Sequence, residues 1–286
     1  TIKQYLKQIA GFSNAQIRSM KFTENGICLG GQRARVTTRL SEGDVLEVLL
    51  ETKNSSSAHL LSFEQMPDIL YEDADVIAVN KPAGMAVHPS HGHYQDTLAN
   101  QLAYYFRKNT QQVEIHSIGR LDLETSGIVL FAKHRAAAAR LSRQREDGRL
   151  QKTYLAICSG IFAEKNGTLN GAIAPLPGSL MKMCVSKDGK PAVTHYQVQK
   201  QYMEAALVQL TLETGRTHQI RVHMADAGHP LIGDRLYFAD TDQKADVDAE
   251  NCFTGIKRAA LHASRICFYQ PFEGKRITVE APFPED

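Results

Sequence analysis

The pattern of hydrophobic and polar positions divides the chain of 286 residues into two parts with different periods. Near the N-terminus, apolar residues recur at helical spacing from Ile2 to Ile9, and Gly11 can end that helix. Ser13 or Asn14 can cap a second helix, after which the pattern changes to strand-like alternation, and residues 26–31 are predicted to form a hairpin. The first part of the chain is therefore predicted to be two short helices followed by a small β unit.

A polar segment separates this part from the rest. Residues 53–58 are small, rich in serine and free of hydrophobic periodicity, a composition typical of a flexible linker. We place one domain over residues 1–53, the linker over residues 54–66 and a second domain over residues 67–286. The second domain is long enough to bury a substantial core of its own.

Strand and helix patterns follow one another through the second domain. Residues 127–132 form a β-branched and aromatic run, which is typical of a central strand covered on both faces. Further strands are predicted within 68–81, 152–160, 194–200, 205–213, 259–268 and 275–279. Helices are predicted over 97–106 and 134–146, and Thr217 can cap a third that ends at Gly228. Residues 239–250 are acidic and predict a solvent loop.

One carboxylate, Asp122, stands just before a polar turn that leads into the predicted central strand. Thr125, Ser126 and Gly127 form the turn, in which the hydroxyls can satisfy backbone groups and the glycine permits a positive φ angle. Arg120 is fixed in charge and can hold a carboxylate or a phosphate with two hydrogen bonds. An Arg-x-Asp pair taken alone is most often a surface ion pair. We interpret this stretch as the nucleophile-bearing loop of an enzyme.

The positive charge is concentrated in two places, although the formal net charge is only +2. Residues 1–53 hold 8 Lys or Arg against 5 Asp or Glu, and residues 133–152 hold 7 against 2. A surface that follows phosphates requires such clustering. The arginines of the helix at 134–146 serve either solubility or phosphate contact. In the first domain the candidate phosphate contacts, here called the N-terminal cations, are Arg18, Lys21, Arg33 and Arg35; the alternative for them is a solvated basic face.

Cysteine usage and hydropathy indicate the redox state of the thiols and the cellular compartment of the protein. The cysteines number 5, an odd count, and none has Cys-x-x-Cys spacing, which predicts reduced thiols without a zinc ribbon or a disulfide framework. The sequence has no long apolar run and no signal peptide pattern. We therefore expect a cytoplasmic protein that does not contact membranes. His88, His91 and His93 lie close together, but no Cys or carboxylate follows at ligand spacing, so no metal site is predicted.

Three stretches, in order, resemble the motifs of RluA-type pseudouridine synthases. Residues 80–84 read Asn-Lys-Pro-Ala-Gly, and residues 120–127 match Arg-Leu-Asp-x-x-Thr-Ser-Gly. Residues 215–223 read Gly-Arg-Thr-His-Gln-Ile-Arg-Val-His, with Gly233, Asp234 and Tyr237 behind them. Gly119 stands where many members carry a histidine, so this sequence departs from the family beside the site. Residues 1–53 resemble a second family, the alpha-L RNA-binding motif, through the helix at 13–18, the hairpin at 25–27 and the turn at 43–44.

The resemblance implies an α+β protein whose catalytic domain is a mixed, mainly antiparallel β-sheet with flanking helices and a central cleft, plus a small α+β RNA-binding domain. It makes Asp122 the catalytic residue and Arg221 the arginine that pairs with it. Tyr154, in a segment similar to Lys-x-Tyr-x-Ala, would pack against the target base. Further residues expected to contact the substrate or RNA are Arg120, Leu121, Thr125, Arg216, His218 and Ile220. The first motif is expected to shape the fold near the cleft.

The resemblance also implies a function, isomerisation of uridine to pseudouridine in structured RNA, with no cofactor and no metal. The alpha-L motif favours large-subunit ribosomal RNA over transfer RNA, and we expect a monomer whose partner is RNA. A non-catalytic RNA-binding or ribosome-assembly protein would not need Asp122 and Arg221 together. A glycoside hydrolase needs two opposed acids, whereas Asp122 and Glu124 are only two residues apart. A metal-dependent nuclease needs a carboxylate cluster, which the sequence lacks.

Overall fold

The structure is a computed structural model, and it describes residues 1–12, 14–49, 60–111, 113–238 and 256–285. The helices in these ranges are α1 (Ile2–Gln8), α2 (Asn14–Phe22), α3 (Leu98–Lys108), α4 (Arg135–Glu146) and α5 (Gln219–Asp226). The strands are β1 (Ile27–Leu29), β2 (Gln32–Arg33), β3 (Leu46–Val48), β4 (Asp68–Glu72), β5 (Val76–Lys81), β6 (His116–Ser117), β7 (Ser126–Ala132), β8 (Gln151–Ser159), β9 (Asn166–Asn170), β10 (Ile173–Pro175), β11 (Met183–Val185), β12 (Val193–Gln201), β13 (Ala205–Leu212), β14 (Leu261–Tyr269) and β15 (Arg276–Glu280).

A sheet of 10 strands runs through the second domain. Its main path is β4-β5-β7-β14-β8-β13-β12-β9, with β15 paired to β14 and β6 paired to β7. β7 and β14 are parallel, and the other pairs in this sheet are antiparallel. The chain is an α+β protein on a mixed, mainly antiparallel sheet, as predicted.

β7 lies inside this sheet because its side chains are apolar on both faces. All of its residues are buried. Val129 and Phe131 belong to one core cluster with Leu102 of α3, whereas Ile128 and Leu130 pack on the opposite side of the sheet with residues of α4. Each such side chain contributes roughly 1.5–3 kcal/mol by burial. The strand that follows Asp122 is thus a rigid support for the loop before it.

The N-terminal part folds as predicted into two helices and a small sheet with the order β2-β1-β3. Gly30 and Gly31, with φ of 58° and 78°, form the tight turn of the expected hairpin. The apolar cluster of this part, which includes Ile2 and Leu6, also contains Ala136 of α4. α1, α2 and the small sheet therefore pack against the second domain through α4.

Part of the expected linker lies on the second domain. Leu60 is buried in the same core cluster as α3. Arg107 donates a hydrogen bond of 2.6 Å to the carbonyl of Leu60, and Asn100 Nδ2 donates one of 2.7 Å to the carbonyl of Leu61. The domain boundary itself stays a prediction. Ser13, residues 54–59, the acidic segment 239–250 and Cys252 lie outside the described residues.

The cysteines inside the described ranges, Cys28, Cys158, Cys184 and Cys267, are free thiols. His88 and His93 bond to Ser117 and Asp96. No group of three or more metal-ligating side chains forms among the residues that the structure describes. In the same part of the chain, no helix combines the length and apolar character that crossing a bilayer requires.

Candidate active site

The loop that carries Asp122 ends at a place where only glycine fits. Gly127 has a φ of 105°, and a Cβ atom on it would lie 2.3 Å from the carbonyl oxygen of Ala263. Gly127 and Ala263 face each other in the parallel pairing of β7 with β14. Both the backbone angle and the close approach exclude a side chain at position 127. Glycine at this position therefore allows the chain to pass from the loop into β7 and pair with β14.

Two cations, the buried Lys81 and the half-buried Arg258, hold the loop through its backbone carbonyls. The carbonyl of Leu123 accepts hydrogen bonds from Lys81 Nζ at 3.1 Å and from the amide of Gly84 at 2.8 Å. Arg258 Nη1 donates to the carbonyl of Glu124 at 3.2 Å. Lys81 is fully buried, and burial with the nearby charge of Arg258 lowers its pKa to about 7, while Asp122 acts to raise it. These contacts fix the backbone on the C-terminal side of Asp122.

A cleft of about 1060 Å³ opens beside this loop. Predicted site residues from three separate segments of the sequence line it. They are Arg120, Leu121, Asp122, Thr125, Tyr154, Arg216, His218, Ile220 and Arg221. The N-terminal cations do not line the cleft and are exposed on the first domain. The structure therefore places the residues expected near the reacting base in one cleft. The N-terminal cations, which are expected to contact RNA phosphates, lie outside this cleft.

Arg221 connects the carboxylates of the site, with a main partner other than the expected one. Its Nε and Nη2 donate to the two oxygens of Asp234 at 2.6 and 2.7 Å. Asp122 Oδ2 is 4.0 Å from Arg221 Nη1, and Glu124 Oε2 is 3.8 Å from Nη2. The expected ion pair between Arg221 and Asp122 is thus present at 4.0 Å, while the close bidentate partner of the guanidinium is Asp234. Asp234 is fully buried and holds the guanidinium so that its remaining edge faces Asp122.

The charges around Arg221 explain how it is kept in the interior. Burial acts to lower the pKa of Arg221, but the hydrogen bonds to Asp234 and the charges of Asp122 and Glu124 outweigh it, so the pKa is raised. The ring of Tyr237 also lies against the guanidinium, with 5.2 Å between its centroid and Cζ. A permanent positive charge therefore stands at the floor of the cleft.

The start of α5 differs from the prediction. Thr217 does not cap the helix; the N-cap is His218, which has a φ of 54° and makes no side-chain capping bond. Thr217 Oγ1 instead accepts a hydrogen bond of 3.5 Å from Arg120 Nη2. His218 Nδ1 lies 2.9 Å from Tyr237 Oη. Burial lowers the pKa of His218, although the charge of Asp122 opposes this effect.

Tyr154 forms an aromatic wall of the cleft. It lies on β8, is 7% exposed, and lines the cleft with Leu121, Ile220 and Leu261. Burial raises its pKa, and the negative charge of Asp122 raises it further, so the phenol stays neutral at physiological pH. A flat, uncharged ring and three apolar neighbours suit a planar base more than a polar or charged ligand.

Comparison with known protein families assigns the chain to one of them. The sequence model of the RNA pseudouridylate synthases matches residues 75–226, more than half of the chain. The chain belongs to that family. The synthase is 39% identical to the uncharacterized RNA pseudouridine synthase YhcT of Bacillus subtilis, over 86% of this chain and 78% of the relative. It is 36% identical to the uncharacterized synthase YjbO of the same organism, over 100% and 96%.

A solved structure supports the same assignment. Human RNA pseudouridylate synthase domain containing 1 is 28% identical to this synthase and superposes with a TM-score of 0.60. The match covers 76% of this chain and 83% of the human chain. The synthase is thus an isomerase that acts on RNA, as the motifs predicted. The roles of the individual residues stay predictions.

Sequence reasoning missed several residues that line or support the cleft of the synthase. Lys152 lines it, as do His88 and Ser117, whose Nε2 and Oγ are 2.6 Å apart. Lys152 could have been found, because it precedes Tyr154 by two residues and so shares its face of a strand. Asp234 and Lys81 were recognised only as parts of motifs. Their buried contacts join distant segments and leave no local signal.

The arginines of α4 do not form one phosphate-facing row. Arg140 is turned away from the cleft: it donates to the carbonyls of Ala10 and Pro271 and its guanidinium lies 4.1 Å from the ring centroid of Phe272. Arg145, five residues later, lines the cleft. A phosphate-facing role is therefore wrong for Arg140.

Proposed function

We propose that the synthase isomerises uridines of large-subunit ribosomal RNA. Relatives named ribosomal large subunit pseudouridine synthase D support this choice. The relative from Haemophilus influenzae is 35% identical over 85% of this chain and 75% of its own length. The relative from Neisseria meningitidis serogroup A is 38% identical over 90% of this chain and 66% of its own. Transfer RNA is the alternative substrate, and a monomer is the expected state.

The observation that carries the proposal is the position of Asp122. Its side chain is 21% exposed, it opens into the cleft, and Arg221 places a fixed positive charge 4.0 Å from it. The reaction must break the bond between nitrogen and the ribose, retain the free uracil, turn it and rejoin it through carbon 5. One carboxylate suffices as nucleophile, either at the anomeric carbon or at carbon 6 of the ring, or as the group that assists departure and proton removal at the ribose.

The walls of the cleft suit the detached base. Tyr154 would stack on the uracil, and the apolar Leu121 and Ile220 would keep water from the reacting sugar. A base cannot react while it is stacked in RNA, and its extrusion costs a few kcal/mol. Arg120 is exposed at the mouth of the cleft and within reach of Thr217. It would hold a phosphate of the extruded nucleotide or occupy the gap left by its base.

The test compares two carboxylates of the same loop. Asp122→Asn should abolish pseudouridine formation in an unmodified large-subunit ribosomal RNA transcript, because the amide is not a nucleophile, and should leave RNA affinity nearly intact. Glu124→Gln is the matched control: Glu124 is also within 4 Å of Arg221, at 3.8 Å, but does not line the cleft. It should retain activity. Carbodiimide-dependent reverse-transcription stops report the product.

Each component of the proposal has its own contrary outcome. Product formation by Asp122→Asn would remove Asp122 as the nucleophile. Equal loss of activity in both variants would assign the effect to the charge balance around Arg221. Modification of transfer RNA transcripts with no product in the ribosomal transcript would favour the alternative substrate.

A further inference from the structure

The residue at the family's histidine position leaves a space that two cations enter. Gly119 has a φ of 84° and lies in the loop just before Arg120. A Cβ atom built on it would lie 3.5 Å from Lys152 Nζ and 3.8 Å from Arg145 Nη1. Both cations line the cleft. The absence of a side chain at position 119 therefore leaves their charged ends accessible from the cleft.

Within the described residues, neither of these two cations has a carboxylate oxygen within 4.0 Å of its charged nitrogens. Among the ion pairs of the described residues, neither Lys152 nor Arg145 takes part in one. Glu146 lines the same cleft, but it makes no ion pair of 4.0 Å or less with either of them in that part of the structure. Burial and the positive charge of Arg145 lower the pKa of Lys152 to about 8. Two like charges held together, with Lys152 half-buried, are unfavourable until an anion lies between them.

The position of Lys152 relates this pair to the reacting base. Lys152 and Tyr154 are residues i and i+2 of β8, so they share one face of the strand, roughly 6.6 Å apart along it. Tyr154 is the aromatic wall that faces Asp122. Lys152 therefore stands beside the base pocket. Arg120, one residue after Gly119, contacts Thr217 instead. The cleft therefore has two separate cationic positions: Arg120 beside Thr217, and Lys152 with Arg145 beside Gly119.

We propose that Lys152 and Arg145 bind one backbone phosphodiester of the RNA, next to the extruded uridine, in the space that Gly119 leaves open. This site rests on the proposed function, because it takes the substrate of the same cleft. It differs from the contact expected of Arg120, and it supplies affinity and register without touching the reacting atoms. An RNA strand that passes through the cleft then meets a positive charge at two places, one at Arg120 and one at Lys152.

The experiment measures RNA binding as a function of salt, with an unmodified large-subunit ribosomal RNA transcript as the probe. A plot of the logarithm of the RNA association constant against the logarithm of the salt concentration has a negative slope. Lys152→Gln should make this slope less steep by roughly 0.7, the value for one lost phosphate contact on a single strand. Lys152→Arg retains the charge and should retain the slope. Arg143→Gln is the matched control, because it removes one positive charge from the exposed face of α4 without lining the cleft.

Kinetics provide a second measurement on the same transcript. A contact made equally in the ground state and the transition state affects KM alone. Lys152→Gln should therefore raise KM roughly tenfold, the effect of losing one charge-assisted hydrogen bond, and leave kcat unchanged. Should Lys152→Gln fail to fold, Arg145→Gln at the exposed end of α4 should show the same change in slope and in KM.

The site would be overturned by a salt slope of Lys152→Gln equal to that of the wild type. It would also be overturned if Arg143→Gln lowered the slope as much as Lys152→Gln, since the effect would then be one of overall charge. These outcomes are separate from a failure of the proposed function. A wild-type protein that forms no pseudouridine in the transcript would contradict that function, whereas the salt slopes would still report on the phosphate contact.

Discussion

The buried side chain of Lys81 should determine part of the pH dependence of the protein's stability. The side chain is fully buried, and Nζ donates to the carbonyls of Pro82 and Met85 at 2.8 Å each and of Leu123 at 3.1 Å. It thus joins the end of β5 to the residue after Asp122. Burial and the charge of Arg258 lower its pKa to about 7. Replacement by methionine, Lys81→Met, retains most of the volume and removes the titrating group.

The size and sign of the effect follow from proton linkage. A lysine in the unfolded chain has a pKa of about 10.4, whereas Lys81 in the folded protein has a pKa of about 7. Below pH 7 both states hold the proton, and the cost of burying the charge is fully present. As the pH rises from 7 towards 10, the unfolded state binds more protons than the folded state, so the free energy of unfolding increases. Integrated from pH 7 to 9, the gain is about 2 kcal/mol.

The assay is urea unfolding of the wild type and of Lys81→Met at pH 7 and pH 9. The three carbonyls that lose a donor destabilise the variant at both pH values, so their effect cancels in the comparison of the two. Lys152, whose pKa is also lowered, acts equally in both proteins. The wild type should gain about 2 kcal/mol more than the variant over this interval. Lys187→Met, a change at an exposed lysine, serves as the matched control.

An equal pH dependence in the wild type and in Lys81→Met would refute the reasoning. It would mean that the three carbonyl oxygens and Asp122 hold the ammonium group in its charged form despite its burial. Lys81 would then be a fixed cation beside the nucleophile loop, and the variant would still report its anchoring role through a lower kcat.

Two further predictions concern the loop and the first domain. Gly127→Ala should destabilise the protein by about 3 kcal/mol or more, because the new methyl group meets the Ala263 carbonyl and the φ angle is strained. Thermal unfolding measures the effect. Gly148→Ala, at a position with a φ of 75° and open space around it, is the control and should lose less stability. Replacing all the N-terminal cations by glutamine should lower the salt slope of ribosomal RNA binding by roughly 0.7 for each phosphate contact they make. An unchanged slope would exclude the first domain from RNA binding.

The features that local sequence predicts well are those that depend on neighbouring residues. The run from Gly127 to Ala132 predicted a central strand, and the structure buries every residue of β7. The pair Gly30 and Gly31 lies at the turn of the predicted hairpin. In both cases the residues that decide the conformation lie within a few positions of each other, so periodicity and turn chemistry are sufficient.

The features that sequence reasoning missed depend on partners that the fold brings from elsewhere. Arg221 needs a carboxylate in the interior, but the sequence offers several, and only the fold places Asp234 at 2.6 Å and Asp122 at 4.0 Å. Lys81 is an ordinary motif residue until the fold places Leu123 against it. Hydrogen bonds between distant segments have no period and no composition, so they are invisible to pattern analysis.

α4 links the two regions of the synthase that we expect to meet RNA. Its N-terminal half contacts the first domain: Ala136 belongs to the apolar cluster of α1 and α2, and Arg140 Nε donates to the carbonyl of Ala10 at 2.6 Å. Its last turn presents Arg145 to the cleft. Since Arg140 and Arg145 are five residues apart, roughly 7.5 Å along the axis, one rigid helix determines how far the first domain lies from the base pocket. RNA bound by both regions would therefore be held at a fixed register relative to Asp122.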